Sequence, residues 1–187
     1  MIQKTWSDRF AEALHPAIAK FNASFSFDVE LLPYDIEGSI VHAKMLGKTG
    51  IITASESQKL VVGLERIRHE YEVGLFQLIG EEEDVHFAVE HRLIELIGDI
   101  GKKLHTARSR NDQVGTDLRL YLREKIAGIR GQLRAYQSLL LCLAEEYEEV
   151  LIPGYTHLQR AQPISLAHYF LAYWNMAQRD WERLGEV

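Results

Sequence analysis

The amino-acid sequence predicts an all-α fold, because its strongest periodic signals have helical spacing. Two apolar series recur at steps of three and four residues, as expected for helices that bury one face. The first runs for about four heptads and consists of Leu122, Ile126, Ile129, Leu133, Tyr136, Leu140, Leu143 and Tyr147. The second consists of Ala167, Phe170, Trp174, Ala177, Trp181 and Leu184. Apart from the neighbourhood of Phe25–Phe27, no run alternates cleanly enough to predict a strand.

The first series predicts one helix from about Asp112 to Val150, which would be about 58 Å long at 1.5 Å per residue. A helix of this length with an apolar face is not stable alone in water, so it needs partner helices. The sequence supplies one comparable partner, after Pro163. We therefore expect residues 109–187 to be the first two helices of a central helical bundle domain that is incomplete here.

Residues 1–108 are expected to form a smaller helical N-terminal domain. Thr53–Glu56 has the sequence of a capping box, in which the first and fourth residues satisfy each other's backbone N–H groups. A helix over 28–48 is predicted to begin at Asp28 as its N-cap, and a third helix is predicted over 84–97.

The composition is that of a globular chain with a sizeable core, since 47% of the 187 residues are hydrophobic and 26% are charged. A net charge of −6 argues against nucleic-acid binding, which needs clustered Lys and Arg. No apolar stretch approaches the ~20 residues of a membrane span, and the N-terminus lacks the apolar core of a signal peptide. A cytoplasmic location is therefore expected. The single cysteine, Cys142, lies in an apolar run and is expected to be a small core residue.

Two polar stretches stand out because each borders a strongly helical segment. Gly154–Pro163 places a hydroxyl, an imidazole and two amides on a short connector, and His105–Gln113 is similarly dense in hydrogen-bonding groups. Histidine can move a proton near neutral pH, since its unperturbed pKa is about 6.5. Together the two stretches predict two walls of a pocket for a polar, anionic small molecule.

Arg110 is the best candidate for gripping a carboxylate, because a guanidinium can donate two parallel charge-assisted hydrogen bonds. Ser109 and Asn111 offer neutral donors beside it. The competing interpretation is that this run is only a loop in which Asp112 caps the long helix.

A metal site is not predicted. His86, Glu90 and His91 invite a zinc interpretation. Positions 86 and 90 share a helix face, but position 91 is turned about 100° away from 90, so three ligands do not converge.

These stretches also carry a family resemblance. The segment Gly-Tyr-Thr-His-Leu-Gln-Arg-Ala-Gln-Pro at 154–163 and the run Ser-Arg-Asn-Asp at 109–112 are similar to motifs of the argininosuccinate lyases, in the fumarase/aspartase superfamily. The resemblance covers essentially the whole chain, as an N-terminal portion, and implies a fumarase/aspartase-like fold. One departure is Ala107, where family members often have glycine.

The resemblance also implies roles for individual residues. Thr156 and His157 correspond to the family's catalytic pair, in which the Thr position binds substrate and the His has an acid/base role. The implied substrate-binding set is Ser24, Asp28, His86, Ser109, Arg110, Asn111 and Thr156. For Asp28 and His86 the alternatives of a helix cap and of a partly exposed helix histidine remain open.

The implied reaction is the elimination that cleaves argininosuccinate into arginine and fumarate, in arginine biosynthesis or the urea cycle. It needs no metal or organic cofactor. In the family, active sites are shared between the subunits of a homotetramer. A further family segment, Gly-Ser-Ser-x-Met-Pro-x-Lys-x-Asn with a catalytic serine, does not occur in these 187 residues. The 187-residue chain by itself is therefore expected to be inactive.

Two other functions remain open at this stage. The chain could belong to a non-catalytic, crystallin-like structural member of the family, or to a sister lyase that cleaves a different succinyl adduct. Retention of Ser24, Asn111, Thr156 and His157 favours an enzyme.

Overall fold

A computed structural model describes residues 15–76 and 83–187, and the chain divides into two compact units, Met1–Tyr121 and Leu122–Val187. The described residues form a helical fold with one two-stranded sheet, which confirms the all-α prediction. The α-helices and strands are α1 (Pro16–Asn22), α2 (Phe25–Asp28), α3 (Leu32–Lys48), α4 (Ala54–Glu72), α5 (Val85–Ile97), α6 (Arg110–Glu146), β1 (Leu151–Thr156), β2 (Gln159–Ser165) and α7 (Leu166–Arg183). The predicted domain limits, 1–108 and 109–187, stay a prediction.

The core of the first unit lies between α3, α4, α5 and the 3-10 segment Gly98–His105 that follows α5. Its apolar positions are spaced by three and four residues along each helix, so each helix buries one face. The core consists of Leu32, Ile36, Ile40, Ala43, Leu46, Ile52, Leu60, Leu64, Ile67, Val85, Val89, Leu93 and Leu104.

The predicted capping box at the start of α4 is confirmed. The backbone N–H of Glu56 donates to Thr53 Oγ1 at 3.2 Å, and the backbone N–H of Thr53 donates to Glu56 Oε2 at 2.9 Å. The third predicted helix is confirmed as α5, which begins after Asp84. The Asp84 carboxylate caps α5 by accepting from the N–H of Phe87 at 2.7 Å.

The prediction that Asp28 is the N-cap of a helix over 28–48 is wrong. The α-helix α3 begins at Leu32, and a 3-10 turn, Val29–Leu31, precedes it. Proline has no N–H, so Pro33, in the first turn of α3, cannot donate to the carbonyl of residue 29. The Asp28 carboxylate instead binds groups on other segments, as described below.

The long helix is confirmed, with shifted ends. α6 begins two residues before the predicted Asp112 and ends four residues before Val150. Asp112 therefore lies in the first turn of α6 and is not its cap. In the second unit α7 runs antiparallel to this helix: Gln137 Nε2 of α6 donates to Gln178 Oε1 of α7 at 3.0 Å, and Arg130 stacks on the Trp181 ring, 3.9 Å from its centroid.

The connector between these helices was predicted without strands, and this part of the prediction is wrong. β1 and β2 form an antiparallel hairpin in which Thr156 pairs with Gln159. The turn residues His157 and Leu158 have positive φ angles of 51° and 63°, a conformation that two-residue hairpin loops usually fill with Asn-Gly or Gly-Gly. Because the turn contains no glycine, the sequence lacks the usual hairpin signal.

A glycine is needed inside the hairpin, at a break in its register. The pairing shifts between Pro153 and Tyr155, and a Cβ added to Gly154 would lie 2.9 Å from the carbonyl oxygen of Gln162. Only glycine allows this close approach of the two backbones.

Cys142 was expected in the core, but its side chain is exposed. The buried positions in this part of α6 are Gln137, Leu140 and Ala144, which are three and four residues apart and form one face. Cys142 lies on another face. Among the described residues, no helix combines the length and the apolar character needed to cross a membrane.

Gly63 should be essential for the packing of α4 against α5. A Cβ at this position would lie 2.6 Å from Leu93 Cδ1, well inside van der Waals contact, and Leu93 is fully buried. Gly63→Ala should therefore lower the free energy of unfolding by about 1–3 kcal/mol, although alanine favours helix. Val62→Ala, at the exposed neighbouring position, is the matched control and should change it by less than about 0.5 kcal/mol. Urea unfolding measures both, and an unchanged or raised stability of Gly63→Ala would contradict this packing.

Candidate active site

Ser24 and Asp28 form one end of the candidate site in the first unit. Ser24 Oγ donates to Asp28 Oδ2 at 2.5 Å, and Asp28 Oδ1 accepts from the backbone N–H of Val85 at 3.2 Å. Both side chains are half-buried. Burial raises the pKa of Asp28 above its ordinary value, although the hydrogen bond from Ser24 opposes this. Asp28 thus ties the α2 region to the first turn of α5, the helix that carries His86.

His86 is buried, with 3% of its surface exposed, and lies between two carboxylates. Its Nδ1 is 3.1 Å from Asp35 Oδ1 and 3.5 Å from Asp117 Oδ2. The three residues come from α5, α3 and α6, and both aspartates are only 1% exposed. The interpretation of His86 as a partly exposed helix histidine is therefore wrong, because its ring is the centre of a buried polar cluster.

Gln113 extends this cluster to Arg110. Gln113 Nε2 donates a hydrogen bond to Asp35 Oδ1, and Gln113 Oε1 accepts from Arg110 Nη1 at 2.9 Å. Arg110 Nη2 also contacts Glu90 Oε2 at 3.3 Å. The predicted carboxylate-binding residue is thus held by α5 and by its own helix, and about a quarter of its side chain, 28%, is exposed.

The pKa values of the buried cluster are shifted by burial and by neighbouring charges. Burial and the nearby Asp35 carboxylate raise the pKa of Asp117 to about 7. Burial alone would lower the pKa of His86, but the hydrogen bond to Asp35 and the charge of that carboxylate outweigh it, so the pKa is raised. The imidazolium form of His86 is therefore favoured beside Asp35.

Arg108 supplies a second positive charge. Its Nη1 donates to Ser39 Oγ at 3.2 Å, and Asp35 and Asp117 both act on its guanidinium. Burial lowers the pKa of Arg108, but arginine stays charged in proteins. His86 and Arg108 together balance the two buried carboxylates.

The same three groups could hold a metal ion by donor type. Asp35, His86 and Asp117 each bring one ligand atom within 4.8 Å of the others, and two carboxylates with an imidazole suit a divalent transition metal. This set differs from the one considered in the sequence, because His86 is its only shared member. Since Arg108 and His86 already lie against the carboxylates, we interpret the cluster as a network of charged hydrogen bonds.

The remaining predicted residues of the first unit lie at the surface. Ser109 and Asn111 are exposed, and Ser109 Oγ accepts from the backbone N–H of Asn111 at 3.3 Å. The adjacent Ala107 has a φ of 55°, in the left-handed region that favours glycine. The substitution noted in the sequence therefore leaves a strained backbone two residues before Ser109.

Thr156 and His157 lie in the second unit, at the end of β1 and in the hairpin turn. Both side chains are exposed in this chain. His157 has a positive φ, which costs a residue other than glycine about 1 kcal/mol, and such strain is often found at functional sites.

Sequence reasoning missed Asp35 and Asp117, and it placed Gln113 in a polar stretch without giving it a role. One signal was available for Asp35, because Leu32, Asp35, Ser39 and Ala43 follow one another at helical spacing on the face that α3 buries. A carboxylate within a buried stripe needs a partner, so it marks a polar cluster. The sequence contains no signal for which residue that partner is.

The buried cluster predicts a specific dependence of stability on pH. The folded-state pKa of Asp117, about 7, is above its ordinary value of 3.8, so its stabilising contribution is complete at low pH and is lost as pH rises through 7. His86 acts in the same direction, because its pKa is also raised. The wild-type free energy of unfolding should therefore fall from pH 5 to pH 8 relative to that of Asp117→Asn, which cannot ionise.

Urea unfolding at four pH values in this range measures the effect. The matched control is Asp99→Asn, which removes an exposed carboxyl paired with Lys102 and should leave the wild-type slope unchanged. Parallel pH profiles of the wild type and Asp117→Asn would contradict a carboxyl at 117 that titrates near neutral pH.

The chain is 69% identical over 185 residues to the argininosuccinate lyase of Crocosphaera subtropica and 67% identical over 187 residues to that of Synechocystis. These matches cover 99% and 100% of this chain, but 40% and 41% of the two relatives. The chain thus spans about two fifths of the length of these relatives.

Solved structures have the same fold. The chain superposes with a TM-score of 0.74 on a variant of EDDS lyase with bound fumarate, which is 25% identical, over 94% of this chain and 35% of that one. A fumarate lyase:delta crystallin from Brucella melitensis superposes with a TM-score of 0.70 at 18% identity, over 96% of this chain and 44% of that one, and so supports the fold alone. The family model described as lyase matches residues 8–187. The chain therefore belongs to the lyase family, and the resemblance to argininosuccinate lyases that its motifs predicted is confirmed over its whole length.

Proposed function

We propose that this chain is part of an enzyme that cleaves argininosuccinate into arginine and fumarate, a carbon–nitrogen lyase of arginine biosynthesis. The observation that carries the proposal is the 69% identity to an argininosuccinate lyase over 99% of this chain. That stretch includes the whole set of polar residues described above.

The proposed elimination transfers one proton from the substrate to a base and one proton from an acid to the substrate. A base removes a proton from the carbon beside a substrate carboxylate, the carbon–nitrogen bond breaks, and its electron pair leaves with the guanidino nitrogen. An acid protonates that nitrogen, and the remaining carbon skeleton becomes fumarate. Because negative charge builds up on the carboxylate during proton removal, donors must already point at it.

We assign the donors to residues of the first unit. Arg110 has N–H groups left after its bonds to Gln113 and Glu90, and a guanidinium can pair with a carboxylate through two of them. Asn111 and Ser109 are exposed beside it as neutral donors. Ser24, Asp28 and His86 complete the proposed substrate-binding set.

We assign the acid/base role to His157 and substrate binding to Thr156. The strained turn supports this assignment, because it holds the imidazole at the exposed end of a hairpin. We further propose that the complete enzyme is a cytoplasmic homotetramer that shares its active sites between subunits and needs no cofactor. The proposed serine loop would come from sequence outside this chain, so the 187 residues alone should not release fumarate.

The complete protein should release fumarate from argininosuccinate and not from adenylosuccinate or malate, as measured by direct product assay. Release from adenylosuccinate instead would favour a sister lyase. Absence of release from all three, by a folded protein, would favour a structural member of the family.

Variants at the hairpin turn should separate the two assigned roles. In the complete protein, His157→Asn should lower turnover by about 100- to 10,000-fold, the usual contribution of general acid–base catalysis. Asparagine tolerates positive φ better than most residues, so the turn is kept. Thr156→Val should raise the Michaelis constant as well as lower turnover.

Leu158→Asn is the matched control, because it changes the other positive-φ residue of the same turn and removes no proposed catalytic group. Its turnover should stay near the wild-type value. If His157→Asn retained near-wild-type turnover across neutral pH, the acid/base assignment would be wrong.

A further inference from the structure

Asp35 lies where the segments of the candidate site meet. Its carboxylate accepts a hydrogen bond from Gln113 Nε2 of α6 and is 3.1 Å from His86 Nδ1 of α5. Asp35 itself belongs to α3 and is 1% exposed. One buried carboxylate therefore fixes side chains of two other helices.

The orientation of the Gln113 amide follows from the chemistry of its neighbours. An ionised carboxylate only accepts hydrogen bonds and a guanidinium only donates them. The NH₂ group of Gln113 must therefore face Asp35, and its carbonyl oxygen must face Arg110, as observed. At 5% exposure, Gln113 has little access to water as an alternative partner.

Two N–H groups of Arg110 have partners among the described residues. Gln113 receives its Nη1 at 2.9 Å, and Glu90 receives its Nη2 at 3.3 Å. A guanidinium has five N–H groups, so three remain for another acceptor. Anchoring a long side chain in this way reduces the freedom that it loses when it binds a ligand.

We propose that Asp35 and Gln113 are positioning residues that hold the guanidinium of Arg110 ready for a substrate carboxylate. The proposal rests on the function proposed above, because it takes Arg110 as the carboxylate-binding group. Neither residue touches the substrate. They act through Arg110, and Asp35 also orients the imidazole of His86 through Nδ1.

Single substitutions in the complete protein test the contact between Asp35 and Gln113 and the contact between Gln113 and Arg110. Gln113→Met keeps the approximate shape but forms no hydrogen bond to Asp35 or Arg110, and Asp35→Asn removes the negative charge that Gln113 Nε2 and His86 Nδ1 contact. Each should raise the Michaelis constant for argininosuccinate about tenfold or more, the equivalent of one charged hydrogen bond, while turnover changes less than the Michaelis constant.

Exchanging the carboxylate at position 35 and the amide at position 113 tests the proposal more sharply. Gln113→Glu alone sets a second carboxylate against Asp35, so it should raise the Michaelis constant at pH 8 and do so less at a lower pH where the new carboxyl binds a proton. In Asp35→Asn/Gln113→Glu the donor and acceptor are exchanged. The amide at 35 donates to the carboxylate at 113, which still accepts from Arg110, and the net charge is that of the wild type. This double variant should return the Michaelis constant to near the wild-type value.

Thermal unfolding of every variant distinguishes an effect on the position of Arg110 from a general loss of stability. Asp99→Asn, at an exposed site of the same unit, is the control and should leave the Michaelis constant unchanged. Rescue by the double variant supports the proposal. The proposal is overturned if the single variants lose thermal stability but keep the wild-type Michaelis constant, or if the double variant shows the combined defect of both singles. A wild-type protein that is folded but inactive on argininosuccinate would contradict the proposed function instead.

Discussion

The candidate site of the first unit depends on the burial of two carboxylates, Asp35 and Asp117, between three helices. Moving an ionised carboxylate out of water costs several kcal/mol unless charged or hydrogen-bonding partners replace the water. Here the partners are His86, Gln113 and Arg108, one each from α5, α6 and the segment before α6. Because removing a single partner would leave a buried charge uncompensated, the helices are held in one arrangement. Burial, and after it the neighbouring Asp35 carboxylate, raise the pKa of Asp117 to about 7, which is the remaining electrostatic cost of this arrangement.

This buried network explains how partly exposed residues at the surface can be held in precise positions. Arg110 is partly exposed, yet Gln113 connects it to the interior. In the second unit, the turn of the β1–β2 hairpin holds His157 in a backbone conformation that residues other than glycine rarely adopt. In both units the polar residues that resemble the lyase motifs are held by well-defined local structure. That is the property expected of groups that must be in place before the substrate binds.

Local signals in the sequence predicted most of the helical structure. The capping box at Thr53 and the heptad-like spacing in α6 each act within a few residues, so they can be recognised without a structure. The hairpin was missed because its turn contains no glycine. The network was missed for a different reason: Asp35 meets His86 across 51 positions and Gln113 across 78. Which distant side chains meet is decided by helix packing, and periodicity carries no such information.

A double-mutant cycle between Asp35→Asn and His86→Gln tests the central claim most directly. The free energy of unfolding is measured for the wild type, both single variants and the double variant at pH 6, where the imidazolium form of His86 is favoured. If the buried network holds the helices together, the two substitutions should be coupled by at least about 1 kcal/mol, the double variant losing less than the sum of the singles. Effects that add to within about 0.5 kcal/mol would contradict the account, because residues that do not interact behave in that way.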